Sequence, residues 1–245
     1  INSCATSRCF FGQFNFESEI MQDQNIRKAI EMGIDKEGLL LCDHRRGEGY
    51  PAKACFSGHV FLMEMKRWKQ FPMIRKGAKK LLEESGWKDT DGDGYADKDG
   101  QKLTIDWLTY PTRLEQPKLA EYAQATLKEI GIDVVVNNTS DHMTYAADGN
   151  FDVYVSSTTT APTGDPEYFF TSTVVGPKNY GKYENKEVTA LTEKLHQAFE
   201  PEERAKLATE LQQKILDDDG FFFVSHLNMG IVTKIQCKGN GGSSL

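Results

Sequence analysis

From Lys102 to Leu108 the chain reads KLTIDWL, with Leu103, Ile105 and Trp107 alternating against polar neighbours. That period of two predicts a strand with one buried face. A period near 3.6 follows: Leu119, Tyr122, Ala123, Leu127 and Ile130 share one face of a helix over 117–130, stopped by Gly131, and IDVVV supplies the next strand. Strand, helix and strand in that order imply a parallel crossover. FDVYVSS reads as a third strand, and the loop TTTAPTGDPEYFF follows it directly. The same reading applied elsewhere gives a strand at CFFGQFNF and a helix capped by Asp23 with Ile26, Ala29, Ile30 and Ile34 on one face. Asp35 can cap a short helix after it. Ile74, Ala78, Leu81 and Leu82 form a further helical stripe, closed by Gly86. Helices are predicted over 186–199 and 201–216, the second with Pro201 in its first turn and Glu202 and Glu203 at its positive end. FFFVSHL and MGIVTK look like two extended segments. Between Cys42 and Phe71 periodicity fails, so loops are expected there, with a helical turn near 61–68.

These elements predict an α/β fold with a mixed central β-sheet flanked by helices. With 245 residues the chain can bury a sizeable core as one large domain or two small ones. Its 39% hydrophobic and 27% charged content fits a folded globular protein and neither a disordered nor a membrane chain. A net charge of -7 argues against nucleic acid as a partner. No basic segment followed by an apolar core opens the sequence, so an export signal would lie outside it. Cys4, Cys9, Cys42, Cys55 and Cys237 lack metal-ligand spacing; Cys4 and Cys9 could pair, and the compartment stays open. The tail from 237 to 245, rich in glycine and serine, is flexible by composition.

The stretch GWKDTDGDGYADKDG offers the densest chemistry. Against a calcium loop, Asp89, Asp91 and Asp93 match the first three ligands, Gly94 the sharp turn, Tyr95 the carbonyl ligand and Asp97 the water-linked position. Gly100, however, stands where a bidentate glutamate belongs, and a strand leaves where a helix should. The alternative is a turn in which aspartates bond local amides and glycines take positive φ. Catalytic signatures are missing: His44, His59, His142, His196 and His226 are scattered, with no metal-binding pair, nucleophile elbow or phosphate loop among them. The chain is therefore read as a non-enzyme, with hydrolysis the weakest alternative.

The order of MQDQNIRKAIEMGIDKEGLL, GAKKLLEESGWKDTDGDGYADKDGQKLTIDWL, LAEYAQATLKEIGIDVVV, GNFDVYVSS, APTGDPEYFF, NYGKYENKEV and PEERAKLATELQQKILDDDGFFFVSHL resembles the extracellular solute-binding proteins, family 5. These are the peptide and nickel receptors of ABC importers, and the resemblance covers about residues 10 to 234. It implies a periplasmic-binding-protein-like lobe over 1–236, the C-terminal half of a two-lobed receptor whose N-terminal lobe is absent from this sequence. It also implies a periplasmic or extracellular location with a lipoprotein anchor in the full-length protein, an ABC permease as partner, and a peptide or nickel chelate as ligand. No cofactor is required by it. Half a cleft cannot give the roughly 70–90% burial typical of a small ligand, so binding by this lobe alone is in doubt.

On the residues, the resemblance sets Asp165 in the GDP loop against a peptide ammonium and Arg113 against a peptide carboxylate, with Tyr110 and Tyr168 as walls. Each also has a structural alternative: a turn cap for Asp165, a solvated loop cation for Arg113, core packing for the tyrosines. His226 reads either as an interior histidine or as a nickel ligand. A calcium-stabilised structural domain without a cleft is the competing function.

Overall fold

A computed structural model describes residues 2–36, 38, 49–51, 74–159 and 165–231. The expectations for residues 61–68 and 237–245, for His44 and His59, and for the thiols of Cys4, Cys42, Cys55 and Cys237 lie outside the described residues.

The elements in chain order are β1 (Asn2–Phe14), α1 (Gln24–Gly33), β2 (Gly49–Pro51), α2 (Arg75–Glu84), β3 (Asp97–Lys98), β4 (Gln101–Lys102), β5 (Thr104–Thr109), α3 (Glu115–Lys128), β6 (Asp133–Asn138), α4 (His142–Ala147), β7 (Val153–Thr158), α5 (Glu167–Phe169), α6 (Lys186–Gln197), α7 (Pro201–Asp217) and β8 (Phe221–Ile231). A π-helical turn, Phe170–Val174, continues α5. Six strands form one mixed sheet in the order β2-β8-β1-β7-β5-β6, and β3 and β4 make a separate two-stranded hairpin. β5 is parallel to both β6 and β7, whereas β1 runs antiparallel to β7 and β8. The three strands read around Leu103, Ile132 and Phe151 thus share one mixed sheet, as expected.

Alternation along the central strands builds two apolar layers. Phe10, Phe14, Ile105, Trp107, Phe222 and Val224 face α1, α2 and α3, while Cys9, Phe11, Phe221 and Phe223 face α5, α6 and α7. The helices form where the sequence can terminate them. Asp23 accepts the Asn25 amide at 2.8 Å to start α1, and Asn185 accepts the amides of Glu187 and Val188 to start α6. Gly86 and Gly131 follow α2 and α3 with φ of 87° and 92°, left-handed values that a side chain would strain. Asp35 accepts the Gly38 amide at 2.9 Å.

Three expectations are corrected. Gly49–Pro51, within the stretch expected to be loop, pairs with Leu227, His226 and Ser225 as an edge strand. FFFVSHL and the start of MGIVTK, as far as Ile231, belong to the single strand β8, because β1 pairs with both from Gln13 back to Asn2, with register shifts between Phe11 and Phe10 and between Cys9 and Ala5. Ile74 sits at the start of α2, 41% exposed, and not within its buried stripe.

β1 and β8 overrun the rest of the sheet. The β1–β7 pairing ends at Cys9 opposite Thr158, but β1 continues back to Asn2, where it pairs with Ile231. A two-stranded ribbon therefore leaves the sheet on the side where β7 ends.

Candidate functional site

The carboxyl ends of parallel strands gather the functional candidates, because chains emerging there leave backbone amides and loops free to meet a ligand. Tyr110 follows β5 directly. It is only 7% exposed, and its ring stacks on His142 at 4.2 Å between centroids. His142 opens α4, just after β6, and its Nδ1 lies 3.0 Å from the Tyr154 hydroxyl. Tyr180 meets Tyr154 edge to face at 5.9 Å, and the Met143 sulfur lies 4.0 Å and 3.9 Å from the two hydroxyls. Burial lowers the His142 pKa, with Asp141 opposing it, and burial raises the Tyr154 pKa. The result is a neutral aromatic wall. Sequence reasoning named Tyr110 but missed His142, Tyr154 and Tyr180, whose assembly depends on residues brought together from three separate segments.

Asp165 is engaged within the lobe. Both its oxygens accept from Arg204 Nη2 of α7, at 2.8 and 2.7 Å, and Oδ1 also accepts the Glu167 amide at 2.9 Å. Arg204 reaches Glu167 Oε2 at 2.7 Å as well, and Glu167 Oε1 meets His196 Nδ1 at 2.6 Å. Two arginine bonds to the carbonyls of Leu195 and Ala198 fix the guanidinium to the end of α6. Burial opposes charge on Arg204, but its bonds to Glu167 and Asp165 outweigh this and hold its pKa above the ordinary value. Burial would raise Glu167, yet Arg204 and His196 together hold it below the ordinary carboxylate value. A group with a depressed folded pKa contributes stability that is present above its unfolded value and lost as pH falls through the folded one. Glu167→Gln is accordingly expected to cost about 1 kcal/mol at pH 7 in urea titrations, a cost that shrinks below the unfolded carboxylate value and vanishes only once pH has fallen through the depressed folded one. A loss that stayed constant below both values would show that the carboxylate's charge is not the cause.

Arg113 lies in the turn before α3 and is exposed, while Tyr168 is 48% exposed with its hydroxyl accepting from Lys178 Nζ at 2.9 Å. His226 is 2% exposed, in β8 between its partners Cys9 of β1 and Tyr50 of β2, so this histidine is interior to the sheet. Among the described residues Asp165 and Arg113 share no contact.

In the aspartate loop, Asp89 accepts the amides of Gly92 and Gly94, Asp91 that of Asp93, and Asp93 that of Tyr95. Asp97 accepts both the amide and hydroxyl of Thr90. Gly92, Gly94 and Gly100 all have positive φ. Oxygens of Asp89, Asp91 and Asp97 come within 4.8 Å of one another, but Asp93 is turned to Lys102 Nζ at 3.0 Å. The Tyr95 amide, then Lys102, keeps the Asp93 pKa low, and Lys102 also lies over the Tyr95 ring at 4.1 Å. Lys102 was not weighed in the sequence pattern, because it enters from β4, nine residues away.

A groove of about 730 Å³ opens elsewhere, where α4 leaves one face of β5 and β6 uncovered, with Glu17, Asp106, Asp148 and Asp152 on its walls. Asp106 has a raised pKa, from burial and then from Asp152.

A mixed sheet between helical layers, with aromatic and charged groups at the carboxyl ends and a paired-strand exit, defines a periplasmic-binding-protein-like lobe. The chain belongs to the bacterial extracellular solute-binding proteins, family 5, whose middle-region model matches residues 2–181. It is 26% identical over 235 residues to the oligopeptide-binding protein AppA of Bacillus subtilis, covering 93% of this chain and 43% of that protein. It is 28% identical over 193 residues to the nickel-binding protein NikA of Staphylococcus aureus, covering 77% of this chain and 36% of that one. The structure of AppA in complex with a nonapeptide superposes with a TM-score of 0.80 at 25% identity, over 93% of this chain and 46% of AppA. NikA of Staphylococcus aureus with Ni(L-His)2 gives the same TM-score at 23% identity, over 93% of this chain and 46% of NikA, a likeness of fold. The chain thus spans less than half the length of these relatives. Among the described residues no helix is long and apolar enough to cross a membrane.

Proposed function

We propose that this chain is the ligand-capturing lobe of an ABC-importer receptor, taking a short peptide or a nickel chelate at the carboxyl ends of β5, β6 and β7. The observation that carries the reading is the exit of β1 and β8 as one ribbon beside those ends. Beyond their pairings with β7 and β2 the two strands are, among the described residues, joined only to each other and make a natural hinge, and a second lobe attached through them would close over Tyr110 and Arg113. The likeness to AppA and NikA supports both ligand classes. Closure would bury the ligand and present one shape to a permease, with no chemical step. The full-length receptor would work outside the cytoplasm, held at the membrane by a lipid anchor. Calorimetry of the full-length protein against trialanine, nickel, and nickel with L-histidine is expected to give saturable binding to one of them. Flat titrations with all three would contradict the receptor role.

The aspartate loop is best read as a helix-to-strand connector. Its carboxylates already accept local amides, and Lys102 competes for Asp93. Added calcium is expected to leave the melting temperature almost unchanged. A calcium-dependent rise that vanishes in Asp91→Ala would instead establish a metal site.

A further inference from the structure

Phe199 is the most exposed large apolar side chain among the described residues, at 88%. It stands in the short link between α6 and α7, where Ala198 is buried and Pro201 opens the next helix. The link is held from beneath. Arg204 Nη1 bonds the carbonyls of Leu195 and Ala198 at 2.8 and 2.7 Å, while its Nη2 reaches Asp165 and Glu167. A ring held in water by a braced turn adds nothing to the core, and little of its ordering is left to be done when a partner arrives. Glu200, Glu202 and Glu203 flank it, all exposed, and none makes a side-chain hydrogen bond or ion pair with a described residue. Lys206, further along α7, pairs with none of them.

The turn stands on the same edge of the sheet as the ligand face. α7 ends where β8 begins, and Phe221 of β8 pairs with Gln13 near the end of β1, at the edge where β7 starts. A helix of 17 residues running back from that corner is about 25 Å long and so carries Pro201 toward the opposite, carboxyl edge. The bonds of Arg204 to Asp165 and Glu167, which follow β7 at its carboxyl end, hold it there.

We infer that the α6–α7 turn is the surface through which the receptor docks on its permease, with Phe199 as the anchor and Glu200, Glu202 and Glu203 as its charged rim. Aromatic side chains that enter a partner's pocket inside a ring of polar groups carry most of the energy of such contacts. The charge selects the partner. A second copy would bring the same three carboxylates and a net charge of -7, and an anionic lipid surface would repel them as well. What fits is an apolar socket bordered by lysine or arginine on the outer face of the permease, where opposite charge would also speed encounter. The inference rests on the receptor reading above and assigns the partner's footprint on this lobe.

ATP hydrolysis by the importer's permease in lipid nanodiscs, followed against the concentration of full-length receptor, tests it. The receptor carries whichever of trialanine, nickel or nickel with L-histidine binds wild type in calorimetry. Phe199→Ala should raise the receptor concentration for half-maximal stimulation about 10- to 100-fold, and Phe199→Trp should recover most of the loss. Glu200→Gln combined with Glu203→Gln should raise it about 3- to 10-fold and flatten its dependence on salt. Phe199→Ala should also melt within about 2 °C of wild type and bind the probe within about twofold, because the ring stands outside both core and cleft. Stimulation by Phe199→Ala equal to that by wild type would overturn the inference and leave the receptor role standing. A lowered melting temperature, or probe affinity lost in place of stimulation, would overturn it too, by assigning the ring to packing or to closure of the second lobe. Wild type that binds none of the probes would take down the receptor reading as well.

Discussion

Phe222→Ala is expected to destabilise the protein by about 3–5 kcal/mol, the largest loss from any single truncation considered for this fold. Phe222 is fully buried in β8 beside β1, with its ring centroid 5.2 Å from Phe14 and 6.0 Å from Trp107. Directly across the ladder stands Gly12 of β1. A Cβ built there would lie 2.0 Å from Phe222 Cε1, so the ring occupies space that only glycine leaves open. Truncation therefore empties a volume that neighbouring strands cannot collapse to fill. Urea denaturation followed by circular dichroism measures the loss. A cost below about 1 kcal/mol would mean that the ring is not the keystone between β1, β5 and β8.

Arg27→Met should cost about 3 kcal/mol, by leaving buried acceptors without donors. The guanidinium is 6% exposed over the residue and donates to the carbonyls of Met21 at 2.7 Å, Gln22 at 3.2 Å, Asp218 at 3.0 Å and Asp219 at 3.0 Å. It also lies over the Phe16 ring, 4.5 Å from the centroid. Burial lowers its pKa, and Asp219 and Asp218 oppose the shift. One side chain thus joins the entry of α1 to the corner between α7 and β8, which are distant in sequence. Arg27→Lys should rescue little, because an ammonium cannot span four acceptors in a plane. The same denaturation experiment tests both variants; equal stability of Arg27→Met and wild type would show that water replaces the donor freely.

Much of the fold was legible because local pattern and tertiary burial agree. Leu103, Ile105 and Trp107 alternate in sequence and are each fully buried, and Ile26, Ala29 and Ile30 mark the face that α1 buries. What escaped was decided by partners far along the chain. Gly49–Pro51 has no strand pattern of its own and becomes one only because β8 offers an edge. α4 is six residues long, too short for periodicity to announce it. In the site the split is similar. Arg113, Tyr110 and Asp165 stand in recognisable local wording, but Arg204 meets Asp165 from 39 positions away. No local rule pairs such residues. The aspartate loop lies between these cases: its turn chemistry could be read directly, whereas the grip of Lys102 on Asp93 needed the hairpin of β3 and β4.

The most direct test of a ligand face at the carboxyl ends of β5, β6 and β7 is a crystal structure of the full-length protein with whichever probe calorimetry shows to bind. The bound molecule should lie within hydrogen-bonding reach of Arg113 and touch the wall of Tyr110 and Tyr180, with β1 and β8 crossing to the second lobe beside it. A ligand seated instead in the acidic groove between α4 and the β5–β6 face, or held without any contact from this chain, would contradict it.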